Sequence, residues 1–495
     1  MKKTGFDASK YLVLQSGKIA ERMKQFGGKL YLEFGGKLFD DTHASRVLPG
    51  FEPNSKVHML QTLKSEIEVV MVINAGDIEQ SKRRGDLGIT YDQEALRLID
   101  AFRAAGLYVG SVVVTHYEEQ EAAVQFIARL DRRGVRTYRH FLIDNYPHNI
   151  SLILSDEGFG KNEYIETERR LVVVTAPGGG SGKMAVCLSQ LYHENKRGYE
   201  VGYAKYETFP VWNLPLQHPV NLAYEAATAD LGDSVMLDAY HQVAYNETAV
   251  SYNRDMETFP VLLDMFKHIL GSSPYKSPTD MGVNMISPCI TDDGAVSEAA
   301  RQEVVRRYYE ALCERRQGLG EQEAVDRLEL LMSKVGVTTD DRPVVKQALA
   351  RSEQTGGEPA VAIELPDGRI VTGKTTDLLG AASAALLNAL KALGNIPKKV
   401  ALISPDIIEP IQHLKINHMG NNNPRLHTNE ILIALTICAG SSPEAEKAME
   451  QLGKLKDCEA HSTVLLSRVD QHTLQRLGIN LTCEPKYQTK KLFHK

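Results

Sequence analysis

The stretch from Leu171 to Met184 reads LVVVTAPGGGSGKM, and it decides the architecture that we expect for this chain. It begins as a short apolar run, which is typical of a strand buried on both faces. A glycine-rich turn follows, and the amphipathic pattern beyond it, to about residue 196, predicts a helix. Strand, glycine loop and helix in this order indicate one unit of a mostly parallel α/β sheet.

The same alternation continues on both sides of this stretch, through the first 210 residues. Strands are predicted at 29–39, 67–73, 107–115, 135–143 and 200–206. Helical patterns lie between most of them, so the strands read as a doubly wound, mostly parallel sheet that is covered on both faces. We therefore expect a P-loop-like α/β domain over residues 1–225.

Two further blocks follow this domain. Residues 226–353 have few β-branched runs and predict a helical subdomain, and residues 354–495 predict a C-terminal α/β domain. Its expected order, β-β-α-β-α-α-β-α-β with a strand at 399–404, resembles the cytidine-deaminase fold. The zinc motif of that fold, H-x-E or C-x-E with P-C-x-x-C, is absent. We therefore expect no zinc and no metal ligands there.

Composition and charge exclude several classes of protein. The 495 residues carry a formal charge of -6, from 57 basic and 63 acidic side chains, which argues against wholesale binding of nucleic acid or anionic lipid. No apolar run approaches the roughly 18 residues of a membrane span, and no signal-peptide core follows the first lysines. The six scattered cysteines favour buried free thiols over a disulfide or zinc framework. We expect a cytoplasmic protein.

The glycine loop is the strongest chemical signal. Glycines let backbone N–H groups converge on an anion, and the start of a helix adds a partial positive charge. The expected phosphate-binding residues are Gly178, Gly179, Gly180, Ser181, Gly182 and Lys183. Against the pattern GxxxxGK[ST], Pro177 replaces the first glycine, and Met184 replaces the residue that would hold magnesium. The alternative is a tight strand-to-helix turn that binds no ligand.

Three further residues, Lys205, Asp144 and Asp238, are candidates for a catalytic role. Lys205 and Glu207 end the next strand, and strand ends line the ligand crevice of such sheets; this resembles P-loop enzymes of the dethiobiotin-synthetase kind. Asp144 and Asp238 each close an apolar run and could hold a metal in a Walker-B role. The alternatives are a solvated strand end for Lys205 and caps or turns for the two aspartates.

Several polar loops could bind a ligand, but each also has a plainer structural explanation. Asn74–Asp77 and Thr115–His116 follow predicted strands, and in an open sheet both would lie at its carboxyl rim. Lys82–Asp86 could supply cations for a phosphate-bearing second substrate, although a solvated charge run explains this loop slightly better. The loop 421–428 before a predicted helix could bind an anion or be a plain turn. Loosely spaced histidines at 413, 418 and 427 favour capping or surface positions over a metal site.

Specific motifs extend over nearly the whole chain. They are APGGGSGKMA around the glycine loop, HPVNLAYEAATADLGD at 218–233, SYNRD at 251–255, YKSPTDMGVNM at 275–285 and NPRLHTNE at 423–430. With these motifs the chain resembles a bacterial family, the domain-of-unknown-function 1846 family. The resemblance implies a three-part architecture whose last part is deaminase-like, and it leaves the reaction open.

These observations lead to one leading expectation and one rival. We expect an enzyme of the kinase or ATP-dependent ligase type that binds a small phosphorylated ligand, with ATP or another nucleotide and magnesium as cofactors. We also expect it to form a homo-oligomer. The rival is a non-catalytic, ligand-sensing or scaffolding oligomer with a degenerate P-loop. Met184 favours the rival, whereas the intact run from Ser181 to Lys183 disfavours it. Turnover of a nucleotide would separate them.

Overall fold

A computed structural model describes residues 3–84 and 88–488 of the chain. Contacts within the chain divide it into two compact units. Residues 4–225 and 233–299 form the first, which we name the sheet unit. Residues 226–232 and the chain from residue 300 onward form most of the second, which we name the C-terminal unit.

The sheet unit is built on a parallel sheet of seven strands, in the order β4-β3-β2-β5-β1-β6-β9. These strands are β1 (Leu30–Phe34), β2 (Ile67–Asn74), β3 (Tyr108–Thr115), β4 (Arg136–Arg139), β5 (Leu171–Thr175), β6 (Gly202–Tyr206) and β9 (Gly282–Val283). A separate antiparallel pair consists of β7 (Val235–Leu237) and β8 (Val250–Tyr252). The large parallel α/β sheet expected from the sequence is therefore confirmed.

Helices connect these strands. In chain order they are α1 (Ala8–Gln25), α2 (Thr42–Val47), α3 (Ser55–Thr62), α4 (Ala75–Glu79), α5 (Tyr91–Ala104), α6 (Glu121–Asp131), α7 (Ile150–Ile153), α8 (Lys183–Lys196), α9 (Pro219–Ala227), α10 (Ala239–Tyr245), α11 (Asn253–Leu270), α12 (Pro278–Met281) and α13 (Asp293–Gln317). The capping box predicted at Thr90 and Gln93 forms at the start of α5. The helix predicted behind the glycine loop is α8.

The burial of the central strands explains their apolar sequences. All five residues of β5 are buried, and β2 is buried from Ile67 to Ile73. On the other side of β5, Phe34 of β1 stacks on Tyr206 of β6 with ring centroids 3.9 Å apart. Strands that are covered on both faces carry near-continuous apolar runs. The edge strand β4 is shorter than expected, since it ends at Arg139 rather than Ile143.

The helical connections that follow β2 and β5 lead toward opposite edges of the sheet. From β2 the chain passes through α5 to β3 on one side, whereas from β5 it passes through α8 to β6 on the other side, crossing β1. Right-handed crossovers that run in opposite directions lie on opposite faces of a sheet. The direction of the connections therefore changes between β2 and β5, and open α/β sheets bind ligands at the carboxyl ends of strands where such a change occurs.

The C-terminal unit has its own sheet, in the order β11-β10-β12-β13. Its strands are β10 (Ala360–Glu364), β11 (Ile370–Lys374), β12 (Glu459–Ser462) and β13 (Asn480–Cys483). Its remaining helices are α14 (Gln322–Val335), α15 (Pro343–Gln354), α16 (Ala381–Leu393), α17 (Pro405–His413), α18 (Thr428–Ala439), α19 (Pro443–Met449) and α20 (Arg468–Arg476). β10 pairs antiparallel with β11 and β12, and β12 pairs parallel with β13.

The strand predicted at 399–404 was wrong. Leu402 and Ile403 are buried in the core of the C-terminal unit, but they lie in an irregular segment. Ser404 and Pro405 then begin α17, because proline is well suited to the first turn of a helix. Without this strand, β10 pairs directly with β12.

The helices predicted at 226–353 are divided between the two units. α11 belongs to the sheet unit, whereas α14 and α15 belong to the C-terminal unit. α13 contributes residues up to 299 to the first and from 300 to the second. A separate middle subdomain over 226–353 stays a prediction, which rests on the scarcity of β-branched runs in that part of the sequence.

Candidate functional site

The glycine loop connects the end of β5 at Thr175 to the start of α8 at Lys183. Gly180 and Gly182 have φ angles of 73° and 88°, a left-handed conformation that glycine adopts without steric cost. Gly182 is also the N-cap residue of α8. The positive end of the helix dipole, which favours anions, therefore begins directly at the loop.

The two sides of the loop differ in the space around them. A Cβ atom at position 178 would overlap the hydroxyl and ring of Tyr91. At Gly179 and Gly180, by contrast, a Cβ would meet nothing within 4 Å. Tyr91 thus forms a wall against the start of the loop, while its tip is open to a ligand.

Ser181 supplies a polar group that points to a ligand. Its side chain is buried, with the residue 3% exposed, and within residues 3–84 and 88–488 its Oγ has no hydrogen-bond partner. The backbone is fixed because Thr115 Oγ1 donates to the Ser181 carbonyl oxygen at 2.7 Å. Buried hydroxyls without a partner are uncommon in folded proteins, so this one is free to bond to a phosphate oxygen.

Lys183 is partly buried at the first position of α8. Burial lowers the pKa of its ammonium, the carboxylate of Glu33 opposes this effect, and the positive charges of Lys205 and Arg254 lower the pKa further. Lys205 and Arg254 are themselves paired with carboxylates, so the pKa of Lys183 is lowered chiefly by burial. A bound anion would stabilise the charged form of Lys183.

Lys205 is held in a buried ion-pair cluster at the carboxyl end of β6. Its Nζ lies 2.6 Å from Asp255 Oδ2 and 2.6 Å from Glu207 Oε1. Burial alone would lower the pKa of Lys205, but the two carboxylates outweigh burial and raise it. The ammonium is thus occupied by two acids, and its direct use on phosphate stays a prediction. The SYNRD motif supplies Asp255 to this cluster.

Glu207 has an unusual protonation equilibrium. Burial raises the pKa of its carboxyl to about 7, against the opposing effect of Lys205 and with a further rise from Asp255. Near neutral pH the carboxyl is therefore present in both its protonated and its charged form. Such a group in a cleft is a candidate for proton transfer.

Glu33 is a site residue that sequence reasoning missed. It is buried near the end of β1, and it is the register partner of Val174 on one side and of Lys205 on the other. Tyr203 donates its hydroxyl hydrogen to Glu33 Oε2 at 2.7 Å. The available signal was an acid inside the apolar run LYLEF, but only the strand order places it beside the glycine loop.

Polar side chains at and just after the carboxyl ends of β2 and β3 form a group that we name the second rim. Asn74 Nδ2 and His116 Nδ1 are 2.9 Å apart, and His116 has a φ of 50°, a conformation that costs free energy in a residue with a side chain. Asp77 Oδ1 accepts from Lys82 Nζ at 3.1 Å. Lys82 Nζ lies 5.2 Å from the centre of the Tyr91 ring. These strand ends therefore meet the glycine loop through Tyr91.

The basic loop 82–86 is mostly tied to its own neighbours. Arg83 donates to the Gly88 carbonyl oxygen at 2.8 Å, and Arg84 pairs with the buried carboxylate of Glu94. Gly85 and Asp86 lie outside the described residues. Lys82 is the cation of this loop that reaches the second rim.

Asp144 and Asp238 occupy the turn and cap positions that the sequence offered as the alternative to a metal-binding role. Asp144 is exposed in a turn beyond the edge strand β4. Asp238 is buried and follows β7 of the separate two-stranded sheet; it caps α10 through His241 N and accepts from Thr279 N and Oγ1. A metal-binding or catalytic role for either aspartate stays a prediction.

In the C-terminal unit, the loop 421–428 leads into α18. His427 is the N-cap residue of this helix, and its Nδ1 lies 2.8 Å from Asp470 Oδ2. Thr428 N and Oγ1 both donate to Asp470 Oδ1. The helix start is therefore satisfied by a carboxylate of the chain, and anion binding there stays a prediction. The capping role favoured for His427 is confirmed.

Two features are absent from the described parts of the chain. Across residues 3–84 and 88–488, no three His, Cys, Asp or Glu side chains are grouped so as to hold a metal ion. In the same part of the chain, every helix is too short or too polar to cross a lipid bilayer.

Fold and site together define an α/β protein with a glycine loop at the carboxyl edge of a parallel sheet. Residues 4–336 match the family description "Domain of unknown function DUF1846, N-terminal", and residues 340–493 match its C-terminal counterpart. The chain belongs to this family. It is 56% identical over 493 residues to a UPF0371 protein of Streptococcus equi subsp. equi (strain 4047), covering 100% of both chains. A UPF0371 protein of Streptococcus pneumoniae (strain JJA) is also 56% identical, over 495 residues and 100% of both chains.

Proposed function

We propose that this protein is an enzyme that binds a nucleotide or another phosphorylated small molecule at the glycine loop, of the kinase or ATP-dependent ligase type. The observation that carries the proposal is the combination of the buried, unpartnered Ser181 Oγ with Lys183 at the start of α8. A hydroxyl donor, an ammonium group and a helix N-terminus are three groups that bind phosphate. The finer P-loop-like and doubly wound description of the sheet unit is part of this proposal.

Lys183 would balance the charge of the phosphate, and the loop around Ser181 would orient it. Stabilisation of phosphate charge by fixed donors is the main catalytic contribution in phosphoryl transfer. Glu207, with a pKa of about 7, would accept or return a proton at the neighbouring strand end. Lys205 would hold Glu207 in position through their 2.6 Å ion pair.

Magnesium fits this donor set poorly. Met184 stands in place of the hydroxyl that holds the ion in P-loop proteins, and it packs against the apolar core. Asp238 uses its oxygens to cap α10 and to bind Thr279. We therefore derive no step through a metal ion, and all named roles belong to side chains of the chain itself.

The test is ligand binding followed by thermal unfolding and calorimetry. ATP, ADP, phosphate and pyrophosphate are added, with and without magnesium, to the wild type, to Lys183→Ala and to Lys196→Ala. The last variant is the matched control, because it removes the same charge from the opposite end of α8, where Lys196 is exposed. A ligand at 100 times its dissociation constant adds about 2.7 kcal/mol to the free energy of unfolding.

We expect stabilisation of the wild type and of Lys196→Ala, and none of Lys183→Ala, with all three folded. Equal stabilisation of Lys183→Ala would refute the proposed site. Stabilisation without any nucleotide turnover would favour the non-catalytic, ligand-sensing rival. Assays for turnover on the same samples therefore distinguish an enzyme from a sensor.

A further inference from the structure

Asp77 carries a carboxylate oxygen that accepts no hydrogen bond from residues 3–84 or 88–488. It lies in α4, directly after β2, and its Oδ1 accepts from Lys82 Nζ at 3.1 Å. Its Oδ2 is buried and has no hydrogen-bond partner in the part of the chain that the structure describes. A buried charged acceptor without a donor is costly, so this oxygen is suited to a hydroxyl group of a ligand.

The position of Asp77 relates it to the glycine loop. Its partner Lys82 lies over the Tyr91 ring, with Nζ 5.2 Å from the ring centre. The hydroxyl end of the same ring lies against Gly178, where it leaves no room for a Cβ. Asp77 is therefore linked to the loop through two side chains, Lys82 and Tyr91, on the side of the sheet where β2 and β5 end.

The two sides of Tyr91 offer different chemistry. The loop side has Ser181 Oγ, Lys183 and the start of α8, which suit phosphate. The other side has a carboxylate with a free lone-pair oxygen, which suits a hydroxyl donor and repels phosphate. In parallel α/β sheets that bind nucleotides, an acid at the end of the neighbouring strand accepts from the ribose hydroxyls.

We propose that the ligand of the glycine loop is a nucleoside phosphate, and that Asp77 binds the hydroxyls of its ribose. This inference rests on the proposed function, which places phosphate at the loop, and adds the class of ligand. Asp77 Oδ2 accepts the ribose hydroxyl, Lys82 holds Oδ1 in place, and Tyr91 separates the sugar from the phosphate-binding turn. The base lies beyond the sugar.

The experiment compares probes that differ in one group. Binding of ADP, GDP, CDP and UDP is measured by calorimetry, once in EDTA and once with magnesium, together with pyrophosphate and with the 2′,3′-dideoxy form of the nucleotide that binds most tightly. The proteins are the wild type, Asp77→Asn, Lys183→Ala and Asp100→Asn. Asp100 is exposed on α5, so its variant makes the same change in net charge away from Asp77.

We expect Asp77→Asn to weaken the ribonucleotide roughly tenfold to a hundredfold, the range for a lost hydrogen bond to a charged group. The dideoxy nucleotide and pyrophosphate should bind Asp77→Asn about as well as they bind the wild type. Asp100→Asn should bind all probes like the wild type. Circular dichroism and the melting temperature of Asp77→Asn establish that it is folded.

Other outcomes overturn the inference in distinguishable ways. If pyrophosphate binds through Lys183 but no nucleotide binds more tightly, the ligand is a phosphate compound without ribose, and the proposed function survives. If Asp77→Asn weakens binding of the ribonucleotide and of its dideoxy form equally, or weakens neither, Asp77 does not bind the ribose hydroxyls. The proposed function survives this outcome too. If the effect of Asp77→Asn appears only with magnesium, the carboxylate acts through the cation. If no probe binds the wild type, both proposals fail.

Discussion

Glu33 on β1 and Lys205 on β6 are direct register partners in the parallel sheet. Residues paired in this way project their side chains to the same face. Glu33 raises the pKa of both Lys205 and Lys183, although burial acts in the opposite direction on each. One carboxylate thus acts on both lysines of the candidate site, and the charge state of this edge of the sheet depends on few groups.

Anion binding should therefore depend on pH through Glu207. Its carboxyl is neutral below its pKa of about 7 and negative above it. The added negative charge repels an anion at Lys183, so sulfate affinity should fall about threefold to tenfold as pH rises from 6 to 8. Deprotonation of Lys183, whose pKa is lowered by burial, acts in the same direction.

Sulfate is the appropriate probe because its own charge is constant over this range. Glu207→Gln should bind sulfate with a flatter pH dependence, measured by calorimetry at each pH. If the sulfate affinity of Glu207→Gln falls between pH 6 and pH 8 as steeply as that of the wild type, Glu207 does not cause the pH dependence of anion binding.

The two glycines at positions 178 and 179 should respond oppositely to alanine. At 178 a Cβ would overlap the Tyr91 ring, so Gly178→Ala should lower the free energy of unfolding by about 1–3 kcal/mol. At 179 there is open space and no left-handed φ, so Gly179→Ala should be neutral or stabilising by up to about 1 kcal/mol. Urea unfolding of both variants measures the difference, and similar midpoints would contradict the role of Tyr91 as a wall.

The sheet could be predicted from the sequence because its central strands are buried on both faces. The runs of β2, β3 and β5 are long, apolar and separated by helical patterns, and such segments are the most reliable to interpret. β9 has only two residues and carries no pattern. The apolar run at 399–404 misled because a short buried loop and a short buried strand have the same composition.

The candidate site was predictable only in part, for a topological reason. The glycine loop is contiguous in sequence, so its residues could be named directly. Glu33 and Asp77 are distant from it along the chain, and they meet it because β5 is inserted between β2 and β1. Local sequence does not reveal strand order, so Asp77 could be named only as part of a loop after a strand, and Glu33 could not be assigned to the site at all.

Ser181 should contribute to ligand binding and not to stability. Its Oγ is buried without a partner in the described chain, so Ser181→Ala removes an unsatisfied group and should leave the free energy of unfolding within about 0.5 kcal/mol of the wild type. Thr115→Val, which removes the donor to the Ser181 carbonyl oxygen, should cost about 1 kcal/mol.

Phosphate affinity should fall in Ser181→Ala, because a ligand oxygen then loses its donor. Thermal unfolding and calorimetry on the same two variants separate stability from binding. A large loss of stability in Ser181→Ala would mean that the hydroxyl has a structural partner. Unchanged phosphate affinity in the same variant would mean that Ser181 does not bind the ligand.

The C-terminal unit should depend strongly on one buried arginine. Arg342 is 0% exposed, and its guanidinium donates to Glu459 Oε2 at 2.7 Å and to the Asn480 carbonyl oxygen at 2.9 Å. It also donates to Thr482 Oγ1 at 3.1 Å. These contacts join β12 and β13, because a single planar fork reaches acceptors on both strands.

Removing this side chain leaves Glu459 paired with Arg306, at 3.2 Å, and leaves acceptors on β13 without that donor; breaking a buried ion pair typically costs about 3–5 kcal/mol. We expect Arg342→Ala to lower stability by this amount, and Arg342→Lys to recover little, since an ammonium cannot reach acceptors on two strands at once. The control is Lys346→Ala on α15, whose exposed 3.4 Å pair with Asp340 should be worth less than about 1 kcal/mol. Hydrogen exchange of β12 and β13 amides, measured beside thermal unfolding, reports on this unit directly. Unchanged protection in Arg342→Ala would show that the two strands are held together by their backbone pairing and core packing rather than by the guanidinium.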